Sequence, residues 1–186
     1  MIKHLYFAAA ALLLLPSCSD QATAPEDKIE VTGQSAQPPA GPAPQEVQEQ
    51  AFASSVLGSL DFSLASARYA SERSEGANTR ALAQKMSADF GAARRELAGL
   101  MQVEPASAPT HQSDLAILSS TRGAPLERAF AEQQMDALTL LIGTVRAYKN
   151  GGDNPALKAW AEKYQGAIND RLLDVQTLRA ELEGEG

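Results

Sequence analysis

The chain has 186 residues, a formal net charge of −7, and a single cysteine. Its length allows one domain and a tail. The acidic balance argues against binding nucleic acid through its phosphates, and a single cysteine excludes an internal disulfide. Aromatic residues make up only 5% of the chain, so we expect an adequate rather than a large core.

The N-terminal segment has a short polar start and then an almost wholly apolar run from Leu5 to Leu15. This pattern is typical of a secretory signal peptide, and the run is shorter than the about 20 residues that span a bilayer. Cleavage before Cys18 would place Leu15 at position −3, which fits the small-residue rule of ordinary signal peptidase poorly. Residues 15–18, Leu-Pro-Ser-Cys, instead resemble a bacterial lipobox. That resemblance implies diacylglycerol on the Cys18 sulfur, cleavage before Cys18, and usually a third acyl chain on the new amino group.

Cys18 is therefore the predicted lipidation site, and the membrane is the predicted partner of its acyl chains. Lipidation gives a reason for a lone cysteine in an exported chain; the alternative is a cysteine that lies by chance near a standard cleavage site. Each buried CH₂ contributes about 0.8 kcal/mol, so two or more chains hold a protein firmly. The expected location is the bacterial cell envelope, facing the periplasm. By resemblance to the sorting rule of enteric bacteria, Ser19 after the cysteine favours the outer membrane.

Residues 18–45 are predicted to form a disordered linker. Their only large apolar side chains are Ile29 and Val31, and they contain five prolines: Pro25, Pro38, Pro39, Pro42 and Pro44. Such a segment does not bury enough surface to offset the entropy cost of ordering it. A chain of this length reaches about 30 Å, enough to hold a domain clear of lipid headgroups. The alternative is a peptide ligand for a partner.

The first two predicted helices follow the linker. Apolar or small residues at three- and four-residue spacing predict a helix over 45–74, with Gly76 in the left-handed conformation that ends a helix. Its inner face is Phe52, Val56, Leu60, Ser63, Ala67 and Ala70. A second helix is predicted from the N-cap Asn78 to Met101. Its inner face is Leu82, Met86, Phe90, Ala93, Leu97 and Leu100.

A loop over 102–112, which contains Pro105 and Pro109, separates these helices from the rest. A short helix over 114–120, capped by Ser113, is expected next. Pro125 favours the start of a long helix that runs to Asn150. Its inner face is Phe130, Gln134, Leu138, Leu141, Val145 and Tyr148.

The last predicted helix begins at Pro155 with Asn154 as its N-cap. Its apolar stripe is Leu157, Ala161, Tyr164, Ile168, Leu172, Val175, Leu178 and Leu182, with a mean spacing of about 3.6 residues. Trp160 beside it is expected to be a core or rim aromatic rather than a ligand-stacking residue. No segment alternates with period two. The sequence thus predicts an all-α, ferritin-like four-helix bundle over 46–183, with a long connection between its second and third long helices.

Three stretches carry a resemblance to a known family: AQKMSADF at 83–90, Phe130 to Met135, and GDNPALKAWA at 152–161. With these stretches the chain resembles, from residue 46 to 183, the bacterial family called domain of unknown function 4142. The resemblance implies a ferritin-like bundle that is usually exported and has no settled biochemical activity. Many members carry histidines that face the bundle interior, which implies metal binding; here the matching positions hold Phe90, Leu138 and Arg171.

The residues themselves favour no metal site. Ferritin-like dinuclear sites use Glu-x-x-His pairs, and none occurs in this sequence. Asp61 and Asp89 lie near inner faces, where two carboxylates would suit only a weak hard-cation site. We expect them instead to pair with Arg68, Arg94 or Arg171. Gln134 is expected to be a hydrogen-bonded core amide.

No catalytic constellation is found either. The chain has no phosphate-binding loop, no nucleophile elbow and no metalloprotease pattern. His111 beside Ser113 and Asp114 in the predicted loop has no evident scaffold to orient it. We therefore expect no catalytic residues, no cofactor and no enzyme activity.

The favoured interpretation is a non-enzymatic envelope lipoprotein, a tethered interaction or structural module with an unknown envelope protein or glycan as partner. The first alternative is a ferritin-like metal-binding or redox stress protein. The second is a small-molecule carrier that uses the bundle interior.

Overall fold

The computed structural model describes residues 44–102 and 111–184. The predicted signal peptide, Cys18, the linker up to residue 43, and the loop prolines Pro105 and Pro109 lie outside the described residues. Within the described part there are five α-helices and no strand, which confirms the all-α prediction. The helices are α1 (Pro44–Arg73), α2 (Ala77–Met101), α3 (Gln112–Ser120), α4 (Gly123–Gly151) and α5 (Pro155–Gly184).

The four long helices form a bundle in which α1 packs against α2 and α4, and α5 packs against the same two helices. Short turns make α1 antiparallel to α2 and α4 antiparallel to α5. Phe52 near the start of α1 stacks on Tyr148 near the end of α4, and Ser74 just after α1 bonds to Glu127 near the start of α4. Hence α1 and α4 are also antiparallel.

It follows that α2 and α4 run in the same direction, so the connection between them has to cross the whole length of the bundle. One such long crossover is the ferritin-like arrangement. We call the end with the α1–α2 turn the upper end and the end with the α4–α5 turn the lower end. The short helix α3 forms part of the crossover and lies against α1 and α4.

Two contacts place α3 along the upper half of the α1–α4 face. At its start, the His111 ring stacks on Phe62 in the middle of α1, with the ring centroids 4.2 Å apart. At its end, the Ser119 carbonyl accepts a hydrogen bond from Arg73 at the end of α1. Leu118 fixes the helix by full burial.

The core is built from the predicted inner faces. The predicted inner-face residues of α1 and α4 are all buried, and those of α5 are buried or partly buried. Leu100 on α2 is the exception, since it is 39% exposed; it belongs to the last turn of α2, where fewer neighbours surround the helix. Trp160 is fully buried and donates from Nε1 to the Ala93 carbonyl at 3.0 Å, so the prediction of a core aromatic is confirmed.

The predicted start of α5 is confirmed. Asn154 caps the helix, because its Oδ1 accepts hydrogen bonds from the backbone N–H groups of Ala156 at 3.0 Å and Leu157 at 3.2 Å. These partners lie two and three residues away, within reach of sequence-based reasoning.

Other predicted helix ends are wrong. The N-cap of α2 is Gly76 rather than Asn78, and Gly76 has an extended rather than a left-handed conformation, with φ −71° and ψ 126°. Asn78 instead donates from its amide to Glu181 on α5 at 2.9 Å. The N-cap of α3 is His111 rather than Ser113, and α4 begins at Gly123, two residues before Pro125.

Candidate functional site

A buried carboxylate at the upper end, Glu127 on α4, holds the α1–α2 turn. Its Oε1 accepts hydrogen bonds from Ser74 Oγ at 2.7 Å, Gly76 N at 2.6 Å and Glu75 N at 3.1 Å. Its Oε2 accepts a hydrogen bond from Thr79 Oγ1 at 3.3 Å. The first N–H groups of a helix lack partners within that helix, so Glu127 caps the start of α2 from a different helix.

Glu127 is 7% exposed, and its ionised form is stabilised by its neighbours. Burial raises the pKa of this carboxyl, but the hydrogen bonds from Ser74, Gly76, Thr79 and Glu75 outweigh burial and hold the pKa below its usual value. The group is therefore ionised at neutral pH, as a structural acceptor and not as a proton donor. Sequence reasoning missed this residue because its partners lie about fifty positions earlier in the chain.

Gly76 is required by this contact. A Cβ at this position would lie 2.5 Å from Glu127 Oε2, closer than any side chain tolerates. The glycine thus serves close approach of the backbone to a carboxylate, a role different from the predicted left-handed conformation.

The outer face of α2 and α5 carries a row of paired charges. Glu96 accepts hydrogen bonds from Lys163 Nζ at 2.5 Å and from the Tyr164 hydroxyl at 2.7 Å. Further along, Arg171 lies 2.9 Å from Asp174 and 3.5 Å from Asp89. The Lys163–Glu96 pair is exposed, and such surface pairs contribute little to stability, about 0–1 kcal/mol in the median case. Arg171, in contrast, is only 15% exposed.

The pKa shifts of Glu96, Lys163 and Tyr164 on this face all favour the charge state that each group usually has at neutral pH. The hydrogen bonds from Lys163 and Tyr164 lower the pKa of Glu96, and the bond to Glu96 raises the pKa of Lys163. Burial, followed by the bond to Glu96, raises the pKa of Tyr164. A general acid or base works best with a pKa near the operating pH, and these three shifts all lead away from neutrality.

The two carboxylates singled out in the sequence pair with different arginines. Asp61 Oδ1 lies 2.5 Å from Arg94 Nε, and Asp89 pairs with Arg171, which confirms the expected pairing. Arg68 instead lies over the Tyr69 ring, 5.4 Å from its centroid. Across residues 44–102 and 111–184, no group of three or more His, Cys, Asp or Glu side chains could hold a metal ion.

His111 is half-buried at the start of α3. Its Nδ1 lies 3.0 Å from Asp114 Oδ2, and its ring stacks on Phe62. The ring stack attaches the start of α3 to α1. The sequence neighbours His111 and Asp114 therefore do meet, as part of a helix start.

Gln134 is fully buried on α4, as expected, but the described residues do not supply the expected hydrogen bonds. Neither its amide oxygen nor its amide nitrogen has a hydrogen-bond partner among the described residues. The hydroxyls of Ser63 and Ser66 on α1, also fully buried, are likewise without partners in this part of the chain.

An apolar groove of about 430 Å³ opens between the lower halves of α1 and α4, the part of this face that α3 does not cover. Its floor contains Phe52 and Tyr148, whose ring centroids are 3.9 Å apart. Small residues, among them Ala51 and Ala147, form its sides. Gly152 is needed here, since a Cβ would lie 2.5 Å from the Tyr148 ring.

A more polar groove of about 230 Å³ lies between α2 and α5. Asn78, Lys85, Asp174 and Glu181 supply its hydrogen-bonding and charged groups. The bundle thus presents two grooves of different chemistry on faces formed by different helix pairs.

None of the described helices is both long enough and apolar enough to cross a membrane. The model of one protein family, a domain of unknown function (DUF4142), matches residues 34–178. The match covers most of the chain, so the chain belongs to the DUF4142 family, and the resemblance seen in the sequence is confirmed. The match begins inside the predicted linker, before the first helix. No curated protein and no solved structure matches the chain.

Proposed function

We propose that this protein is a lipid-anchored protein of the bacterial envelope, whose helical bundle acts as a non-enzymatic interaction or structural module. The observation that carries the proposal is the sequence Leu-Pro-Ser-Cys at 15–18, which follows an apolar run and precedes a bundle of the DUF4142 family. Acyl chains on Cys18 would place the bundle at a membrane surface, facing the periplasm and, by the Ser19 rule, at the outer membrane.

The chemistry of the bundle supports a non-enzymatic role. The pKa values of Glu96 and Glu127 are lowered, and those of Lys163, Tyr164 and Tyr148 are raised. Each direction favours the charge state that the group already has at pH 7. These shifts lead away from the range in which a group exchanges protons with a substrate at neutral pH, and Glu96, Glu127, Lys163 and Tyr164 form hydrogen bonds to one another or to the α1–α2 turn.

The proposed module acts through its surface, so the partner is an envelope protein or glycan. Ala147 in the apolar groove and Thr177 in the polar groove lie on different sides of the bundle. A photo-crosslinking amino acid at each position, one at a time, samples both surfaces without removing a charge pair. Asp136, exposed on α4, serves as a matched position outside both grooves.

The test is crosslinking in cells of the full chain, with Cys18→Ser as the control for anchoring. We expect crosslinked partners, identified by mass spectrometry, at one groove position and not at Asp136. We also expect that they are lost or reduced when Cys18→Ser detaches the protein from the membrane. The absence of specific crosslinks, with both forms equally soluble, would contradict the anchor and the interaction role together.

A further inference from the structure

The middle of the bundle contains polar atoms that the described residues do not satisfy. Ser63, Ser66 and Gln134 are each 0% exposed, and none of their side-chain polar atoms has a hydrogen-bond partner in residues 44–102 or 111–184. Other helical hydroxyls behave differently. Those of Ser59 and Ser87, for example, donate to the carbonyl four residues earlier, at 3.1 Å and 2.8 Å.

Two contacts fix how α1 and α4 lie against each other. Phe52 stacks on Tyr148 at the lower end, and Ser74 bonds to Glu127 at the upper end. The segments between these contacts span 22 positions on one helix and 21 on the other, about six turns each. The two helices therefore keep nearly the same axial register between the two contacts.

This register places the unsatisfied groups near one level of the α1–α4 pair. Ser66 lies 14 positions after Phe52, and Gln134 lies 14 positions before Tyr148, about four turns from the stacked pair on each helix. Hence Ser66 and Gln134 lie at the same level of the α1–α4 pair, and both side chains are fully buried. Ser63 lies about one turn lower on the same face of α1.

The chemistry of this polar layer identifies the class of ligand that it takes. It offers two hydroxyls, one amide oxygen and one amide NH₂ group, all neutral, which donate and accept hydrogen bonds. Neutral groups do not compensate the large cost of burying an ion, whereas a buried water typically makes about three hydrogen bonds to such groups. We propose that Ser63, Ser66 and Gln134 form an internal hydration site, in which one or more ordered waters bridge α1 to α4.

The site gives the α1–α4 pair a polar link halfway between its two end contacts. Axial sliding of one helix along the other would separate the two hydroxyls from the amide. The hydration site therefore favours one register of α1 against α4. It is independent of the lipid anchor, so the two proposals succeed or fail separately.

Water contacts of the Gln134 side chain test the proposal directly. The full chain, labelled with ¹⁵N in glutamine and tryptophan side chains, is purified in detergent. Rotating-frame Overhauser transfer then separates true water proximity from proton exchange, which has the opposite sign. We expect a cross-peak between Gln134 Nε2–H₂ and a long-lived water. Trp160 Nε1–H is the matched control, since this buried group already has a carbonyl partner and should show none.

Two variants complete the test. Ser66→Ala is expected to reduce the Gln134–water cross-peak at least twofold, whereas Ser59→Ala, whose hydroxyl already bonds to Ser55, is expected to leave it unchanged. A folded wild-type chain without the cross-peak would overturn the proposal. So would a cross-peak that Ser66→Ala does not affect, or a crystal structure in which the Gln134 amide bonds directly to a serine hydroxyl or a backbone carbonyl with no water between them.

Discussion

The upper end and the middle of the bundle treat buried polar groups in opposite ways. At the upper end, Glu127 accepts four hydrogen bonds, two of them from backbone N–H groups. In the middle, Ser63, Ser66 and Gln134 are buried without partners among the described residues. The first cluster supplies a hydrogen-bond acceptor to backbone N–H groups at the start of α2, and the backbone needs such acceptors whatever its side chains. The second consists of side chains alone, and an apolar sequence would remove the need for partners.

Burial of a polar side chain therefore does not by itself reveal its importance to stability. Its importance depends on whether its hydrogen-bond partners can be removed along with the side chain. The backbone N–H groups of Glu75 and Gly76 remain in place when Glu127 is replaced, whereas the hydroxyls of α1 can be removed together with Gln134. The predictions below separate the two cases.

The largest effect is expected for Glu127→Leu. The variant leaves the Glu75 N–H group without its buried acceptor, and it leaves Gly76 N–H and the Ser74 hydroxyl only the weaker bonds that they make to each other's residue. The free energy of unfolding should therefore fall by about 3 kcal/mol. Urea unfolding followed by circular dichroism measures it. Glu132→Leu, an exposed position five residues later on α4, is the control and should change stability by less than about 0.5 kcal/mol. An equal loss of stability in both variants would show that Glu127 contributes no more than an exposed glutamate of the same helix.

A somewhat smaller loss is expected for Gly76→Ala. The new methyl group meets Glu127 Oε2 at 2.5 Å, so one of the two has to move, at a cost of about 2 kcal/mol. Gly99→Ala in the same helix α2 is the matched control. Nothing lies within 4 Å of its added Cβ, and the change should stabilise the helix by up to about 1 kcal/mol. If both substitutions stabilise the protein, the close approach at Gly76 is not needed.

The pH dependence of stability should report Glu127 as well. Its pKa in the folded state lies below its ordinary value of 4.5. The contribution of Glu127 to stability is therefore fully present above that value and is lost as the pH falls through the folded-state pKa. The difference in unfolding free energy between the wild type and Glu127→Gln should accordingly shrink from pH 7 toward pH 3. A difference that grows on acidification would mean that the folded-state pKa is raised instead.

The smallest effect is expected when the middle layer is made apolar. The triple variant Ser63→Ala, Ser66→Ala and Gln134→Leu removes all the polar partners at once. Its stability should stay within about 1 kcal/mol of the wild type, because replacing a whole set of buried polar groups by apolar ones of similar shape is close to neutral. Calorimetric unfolding measures this. A loss comparable to that of Glu127→Leu would show that the layer is as essential as the upper cluster.

The fold follows from the sequence because its determinants are periodic and local. Spacings of three and four residues place the cores of all four long helices, and Asn154 caps α5 through partners two and three positions away. The long connection after α2 is enough to imply a crossover, which α3 partly forms.

The upper cluster escapes sequence analysis for a physical reason. Glu127 follows the core residue Leu126 on α4 and has no local signal that distinguishes it from an exposed helical glutamate. Its partners are in the α1–α2 turn, and only the packing of α4 against α1 brings them within hydrogen-bond distance. The same packing decides that Gly76 must lack a side chain. For Gln134, periodicity predicts burial, but periodicity does not reveal which atoms surround the amide.

The mass of the N-terminal peptide is the sharpest test of the proposed anchor, acyl chains on Cys18 that hold the bundle at a membrane. The protein is isolated from membranes of the cells that make it, digested, and analysed by mass spectrometry, with Cys18→Ser in parallel. We expect a mature chain that begins at Cys18 and carries a diacylglycerol group, and in most molecules a further acyl chain on the amino group. An unmodified Cys18, or a chain cut at another position, would contradict the proposed anchor.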